Sequence, residues 1–203
     1  MMKRLAALFF LSGLLLAAKA DNVPITSSAT NTTNSTASPT RNIDTNPAWA
    51  GPLGGSSWVS FASTGNPSDP GFKTVANGTE VTFTDTFDLS GPVTSAYLAV
   101  LADDTASVWL NGHEVYAANL AGPYPTCSAK AIGCLLTTAG LFNTAQLAPF
   151  FVDGVNKLQF KVYQEGGSSF GLDYAGAVNT PEPGTFCLLG VGLLGLALLK
   201  IRR

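Results

Sequence analysis

The sequence predicts an all-β fold, an antiparallel sandwich or barrel, set between two hydrophobic terminal segments. Three observations carry that expectation. Between Pro47 and Val178, short runs of Val, Leu, Phe, Tyr and Trp are cut by Gly, Pro, Asn and Asp. Asn111-Gly112 joins two such runs, and a two-residue hairpin needs positive φ at both central positions. No stretch of this region keeps helical periodicity for three turns.

The elements follow in order. SWVSFA (Ser57 to Ala62) alternates. EVTFTDTFDL (Glu80 to Leu89) puts Val81, Phe83, Asp85, Phe87 and Leu89 on one face and threonines on the other. Asp85 breaks the apolar face and is expected at a strand bend. SAYLAVLA (Ser95 to Ala102) is more uniformly apolar, as suits a strand buried on both sides. Asp103 and Asp104 then end one strand and start the next. ASVWLNGHEVY is the hairpin. Lys157 to Gln164 alternates again, and SFGLDYAGAV closes the series. Asn143 to Leu147 is the one expected helical turn, with Asn143 as its cap. About seven or eight strands in roughly 130 residues suffice for one core and no second domain.

The flanks differ from this domain, which is placed at 47–179. Residues 1–20 read as a secretory signal peptide: Lys3 and Arg4, an apolar core from Leu5 to Ala18, then Ala18-Lys19-Ala20. The core is short for a membrane span, which needs about 20 residues. Residues 21–46 are expected to be a disordered linker, because 16 of the 26 are Ser, Thr or Asn. Residues 180–203 hold Pro181-Glu182-Pro183, an apolar run expected to cross a membrane as a helix over 185–201, and Lys200, Arg202 and Arg203. The basic end keeps the C-terminus cytoplasmic and the domain outside.

Charge and motifs exclude several functions. Six of the eleven basic residues lie in the terminal segments, leaving nine Asp and three Glu against one Arg and four Lys between Asp21 and Thr180, a net −7. Such a body lacks the basic patch that nucleic acid requires. His113 is the one histidine, on an exposed hairpin, and no GxSxG element accompanies it. No catalytic residue and no metal ligand set is assigned, and no cofactor is expected. A structural calcium built on Asp103, Asp104 or Asp153 is the single cation alternative. Cys127 and Cys134 read as a local disulfide in an exported chain. Trp58 and Tyr124 are the candidate ligand contacts, because flat rings stack on sugars; Tyr124 stands between two prolines in the disulfide segment. Trp109 is open between core and surface.

Two resemblances add to these readings. Val108-Trp109-Leu110-Asn111-Gly112 and Gly154-Val155-Asn156-Lys157-Leu158-Gln159-Phe160 resemble strands of galactose-binding-domain-like jelly rolls. That resemblance implies a jelly-roll fold from about Trp49 to Val178 and transfers no ligand residue. The Pro-Glu-Pro unit, apolar run and basic end together resemble the PEP-CTERM sorting signal of Gram-negative bacteria. It implies recognition by exosortase, a transient membrane hold, and delivery to the cell surface or extracellular matrix. Proteins of that kind accompany exopolysaccharide and biofilm, so extracellular polysaccharide is the expected ligand. A structural or adhesive protein on a plain C-terminal membrane anchor is the alternative.

Overall fold

The computed structural model describes residues 21–120, 126–181 and Gly192. The expected signal peptide and the expected membrane helix over 185–201 lie outside the described residues. Among those described, no helix is long and apolar enough to cross a membrane.

Eleven strands form two antiparallel sheets. One sheet has the order β3 (Arg41–Asn42), β4 (Val59–Ser60), β11 (Gly171–Thr180), β6 (Ser95–Asp103), β9 (Gly140–Asn143), with β1 (Asp21–Thr26) also paired to β11. The other has the order β2 (Thr32–Asn34), β5 (Glu80–Leu89), β10 (Gly154–Tyr163), β7 (Thr105–Leu110), β8 (His113–Tyr116). The alternation read from the sequence sets the inner faces. Val81 and Phe83 of β5 and Leu158, Phe160 and Val162 of β10 face Leu98, Val100, Leu172 and Tyr174 of the first sheet across one apolar core. Phe160 stacks on Tyr174 at 4.5 Å between ring centroids. Side chains of this size each contribute about 1.5–3 kcal/mol on burial.

The hairpin is as expected. Asn111 (φ 52°) and Gly112 (φ 83°) both adopt positive φ between β7 and β8. The two motif asparagines meet here: the Asn111 amide donates to Asn156 Oδ1 at 2.8 Å and to the Phe150 carbonyl at 2.8 Å. Asn156 is fully buried and donates to the carbonyls of Val152 and Gly154, while its Oδ1 also accepts from the Val152 N–H. One buried amide thus fixes the chain that enters β10. Asn143 caps the short helix α1 (Thr144–Leu147), accepting from the N–H groups of Ala145 and Gln146.

Four expectations are corrected. Residues 21–46 are not a disordered linker. They supply β1, β2 and β3, so the fold begins at Asp21 and not at Pro47. Their core contribution is small in side chains, chiefly Ile25 and Thr32, and large in backbone pairing: β1 runs in register with Ala175 to Thr180. Asp85 does not mark a bend. It lies inside the unbroken β5, buried, where the Tyr174 hydroxyl donates to it at 3.1 Å and contacts the Thr32 hydroxyl at 2.8 Å. The alternation at Ser57 to Ala62 yields only the two-residue strand β4. Strand β6 is buried on both sides only from Val100 onward, and Tyr97 is exposed.

Deleting residues 21–34 removes β1, β2 and the Thr32 partner of Tyr174. The expected outcome is loss of the cooperative thermal transition followed by circular dichroism. A dispensable linker would leave the melting temperature unchanged.

Candidate functional site

The two ends of the sandwich differ. One end gathers the β6–β7 corner at Asp104, the β10–β11 connection, the disulfide segment and the long loops on either side of β4. The other end carries the Asn111-Gly112 turn, the Gly91 loop and Thr180, the last residue of β11.

At the loop-rich end a second small core covers the outer face of the first sheet. It holds Trp49, Trp58, Leu101 and Cys134. Trp58 is therefore no ligand contact in this fold. It is 0% exposed, packs on Trp49 at 4.4 Å between centroids, and spends its indole N–H on the Ala50 carbonyl. Cys127 and Cys134 are joined, as their spacing suggests, and the bond closes the loop whose Cys134 enters this core. Tyr124 lies outside the described residues.

Buried carboxyls line the same end. Asp103 accepts from the Trp49 indole N–H at 2.9 Å. Asp173, fully buried, accepts from the hydroxyls of Ser27 and Ser56 and from the Leu53 N–H. Asp104 accepts from the N–H groups of Glu165 and Gly166, both at 2.8 Å, and so holds the β10–β11 turn. Asp153 is at the opposite end, accepting from the Gly91 N–H at 2.9 Å, so the calcium alternative loses its third carboxylate. Among the described residues, no three His, Cys, Asp or Glu side chains stand together as a metal site. His113 is exposed and stacks on Phe150 at 5.1 Å.

The outer face of the second sheet is the surface that the sequence reading missed. Its centre is Gln159 on β10, registered between Thr84 on β5 and Trp109 on β7. Lys157 and Lys161 lie two residues to either side on the same face. Trp109 is half-buried and not in the core; its N–H donates to Ser107 Oγ at 3.0 Å, and Lys161 Nζ sits 4.5 Å from its ring centroid. The signal was present in the sequence as the strict alternation of Lys157, Gln159 and Lys161 opposite Trp109. What the sequence could not supply was the register that brings them together.

The C-terminal strand leads directly into the tail. Strand β11 is buried along nearly its whole length, and Thr180 is 0% exposed and registered with Asp21. Asn179 is held by the N–H and hydroxyl of Thr94, and its amide donates to Ser95 Oγ. Residues 179–203 match the family model of the PEP-CTERM protein-sorting motif. The chain carries that motif. Its first two residues are still inside β11, so the PEP-CTERM segment follows the folded domain with no spacer.

No curated protein matches the chain. Among solved structures it is similar to an α-L-rhamnosidase of Streptomyces avermitilis complexed with L-rhamnose, at 21% identity and TM-score 0.46, over 68% of this chain and 12% of that one. It is also similar to a family 35 carbohydrate binding module of Clostridium thermocellum, at 13% identity and TM-score 0.39, over 76% of this chain and 97% of the module. A third is an exo-β-1,3-galactanase of Phanerochaete chrysosporium with β-1,3-galactotriose, at 15% identity and TM-score 0.33, over 80% of this chain and 30% of that one. The chain thus spans a small part of either enzyme.

The buried carboxyls set a pH dependence. Burial pushes Asp103 up to about 9, the adjacent Asp104 adds to the rise, and the Trp49 N–H opposes it. Burial pushes Asp85 up to about 6 against the Tyr174 hydrogen bond. Both exceed the ordinary value of 3.8, so the folded state keeps protons that the unfolded chain releases. Their stabilisation is complete below that ordinary value and is lost as pH rises through about 6 and then about 9. Denaturant titrations at pH 5, 7 and 9 are expected to give falling stability, with a slope of at most about 1.4 kcal/mol per pH unit for each such proton. Asp103→Asn is expected to flatten the alkaline limb.

Proposed function

We propose that this is an exported, exosortase-sorted protein of the cell surface or extracellular matrix whose jelly-roll domain binds extracellular polysaccharide without turning it over. The PEP-CTERM match at 179–203 carries the sorting part. The arrangement of the termini supports it: Asp21 and Thr180 are direct partners in the sheet. A signal peptide before Asp21 and a membrane helix after Pro183 would leave from one end of the sandwich, with the loop-rich end turned away. Signal peptidase would cut after Ala20. Exosortase would act near Pro181, Glu182 and Pro183, with Lys200, Arg202 and Arg203 on the cytoplasmic side. Two prolines would keep that stretch extended and outside both the strand and a following helix.

The polysaccharide part draws on the polar, tryptophan-bearing face of the second sheet. The biofilm link draws on the sorting motif. Exopolysaccharide-producing cells give the setting in which both are needed.

A second reading, an adhesive protein packing against another protein, has its own observation. Tyr97 and Leu141 are 59% and 71% exposed on the outer face of the first sheet. Concentration-dependent self-association without glycan binding would favour it.

Intact-mass measurement tests the sorting reading. In cells that contain exosortase, the mature chain is expected to lack the apolar run beyond Pro183, and in cells deleted for exosortase to retain it. The same mass in both strains would mean a plain anchor. For the sugar part, the full-length chain in detergent is applied to an array of exopolysaccharides, including that of its own host. Binding to none of them would sink it.

A further inference from the structure

We infer that the outer face of the second sheet takes an acidic, uronate-bearing polysaccharide along β10, with Lys157 and Lys161 as its charge contacts and Trp109 as its stacking ring. The inference rests on the polysaccharide-binding reading above and adds the chemical class of the ligand and the place where it sits.

Charge is distributed unevenly over the domain. Between Asp21 and Thr180 only five side chains are permanently cationic, against twelve carboxyls. Two of the five stand on one strand and one face, with Gln159 between them. The carboxylates of this face lie at its borders. Glu80 is registered with Tyr163 at one end of β10, Asp88 with Val155 at the other, and Glu114, on the edge strand β8, is registered with Trp109. The β10 line of the face is therefore cationic within a body of net −7, with Glu114 one strand beyond Trp109. Among the described residues, neither lysine is held in an ion pair with a carboxylate.

Residues four apart on a strand are separated by about 13 Å, at roughly 3.3 Å per residue. Two cations on one line at that spacing suit a polymer with repeated carboxylates better than a single sugar. Trp109 is registered with Gln159, midway between them, and Lys161 already leans over its ring. A pyranose laid on the open part of the indole would bring a ring carboxylate within reach of Lys161. Gln159 and Thr84, which share a hydrogen bond at 3.4 Å, can bond the sugar hydroxyls. The ammonium groups supply charge-assisted bonds to the carboxylates.

Retention of the full-length chain in detergent on immobilised alginate, a linear polyuronate, and on immobilised dextran, a neutral glucan, tests this. The expected result is retention on alginate that weakens with added salt, and none on dextran. Lys157→Gln and Lys161→Gln should each weaken retention by about five-fold, the upper range for an exposed ion pair. Trp109→Ala should weaken it at least as far, with an unchanged melting temperature as the check on folding. Lys73→Gln, an exposed lysine of the loop between β4 and β5, should change nothing. Equal retention on both polymers, or retention on dextran alone, overturns the acidic class and leaves polysaccharide binding standing. Retention on alginate that falls as much in Lys73→Gln as in Lys161→Gln overturns the site. Retention on neither polymer overturns the inference, while binding to another glycan on the array would still uphold the broader reading.

Discussion

Burial of β11 is the constraint on which the rest of the structure depends. One edge of this strand is paired with β6 over nine residues, and the other is shared by β4 and β1. Its inner residues, Leu172, Tyr174 and Val178, belong to the main core; its outer Asp173 anchors the segment that carries Ser56 and Leu53. A central strand cannot be shortened without exposing its neighbours' backbone groups. The end of the domain is therefore fixed at Thr180. Any processing compatible with the fold must act after that residue, and the PEP-CTERM unit stands there at once. The sorting motif and the fold thus overlap at Asn179 and Thr180.

The polar interior follows from how the strands are supplied. An acidic sequence with few cations cannot neutralise buried carboxyls by ion pairing. This one uses hydroxyls and N–H groups instead. Tyr174, itself in contact with the Thr32 hydroxyl, serves Asp85, Ser27 and Ser56 serve Asp173, and Trp49 serves Asp103. Each such contact also ties a distant segment to the sheets, so β2, the residue after β1 and the loop that carries Trp49, Leu53 and Ser56 are positioned by polar contacts as well as by apolar bulk. Asn156 does the same at the other end without charge, linking the hairpin turn to the start of β10. A buried neutral amide with all its bonds made avoids the desolvation cost that a carboxylate would bring.

The legible parts of the sequence were those with local physical signatures. The Asn111-Gly112 turn, the Asn143 cap, the alternation of β5 and β10 and the Cys127–Cys134 ring all depend on neighbours within a few residues. The PEP-CTERM unit was readable for the same reason. Residues 21–46 were not, because β1 and β2 contribute mostly backbone pairing to strands 49 or more residues away, and composition is silent on that. Trp58 begins an alternating run, yet both of its surroundings are apolar, since the Trp49 loop folds back over the outer sheet face. Trp109 is the converse: its run looks like core, and register puts its ring on the polar side. Asp85 looked like an interruption because its partner, Tyr174, is 89 residues away.

The surfaces of the domain are separated. The end from which the tail departs is occupied by the termini, the Thr94 and Asn179 contacts and the Asn111–Asn156 network. The outer face of the first sheet is covered at the loop-rich end by the two buried tryptophans. Among the described residues, the outer face of the second sheet leaves Lys157 exposed and Gln159 and Lys161 half-buried. Polymer contact and membrane tethering would then occupy different surfaces of one small domain. The charge pattern fits that division. In a body that repels polyanions at long range, cations gathered on one strand act only within about a Debye length, so contact requires the polymer to lie against that strand.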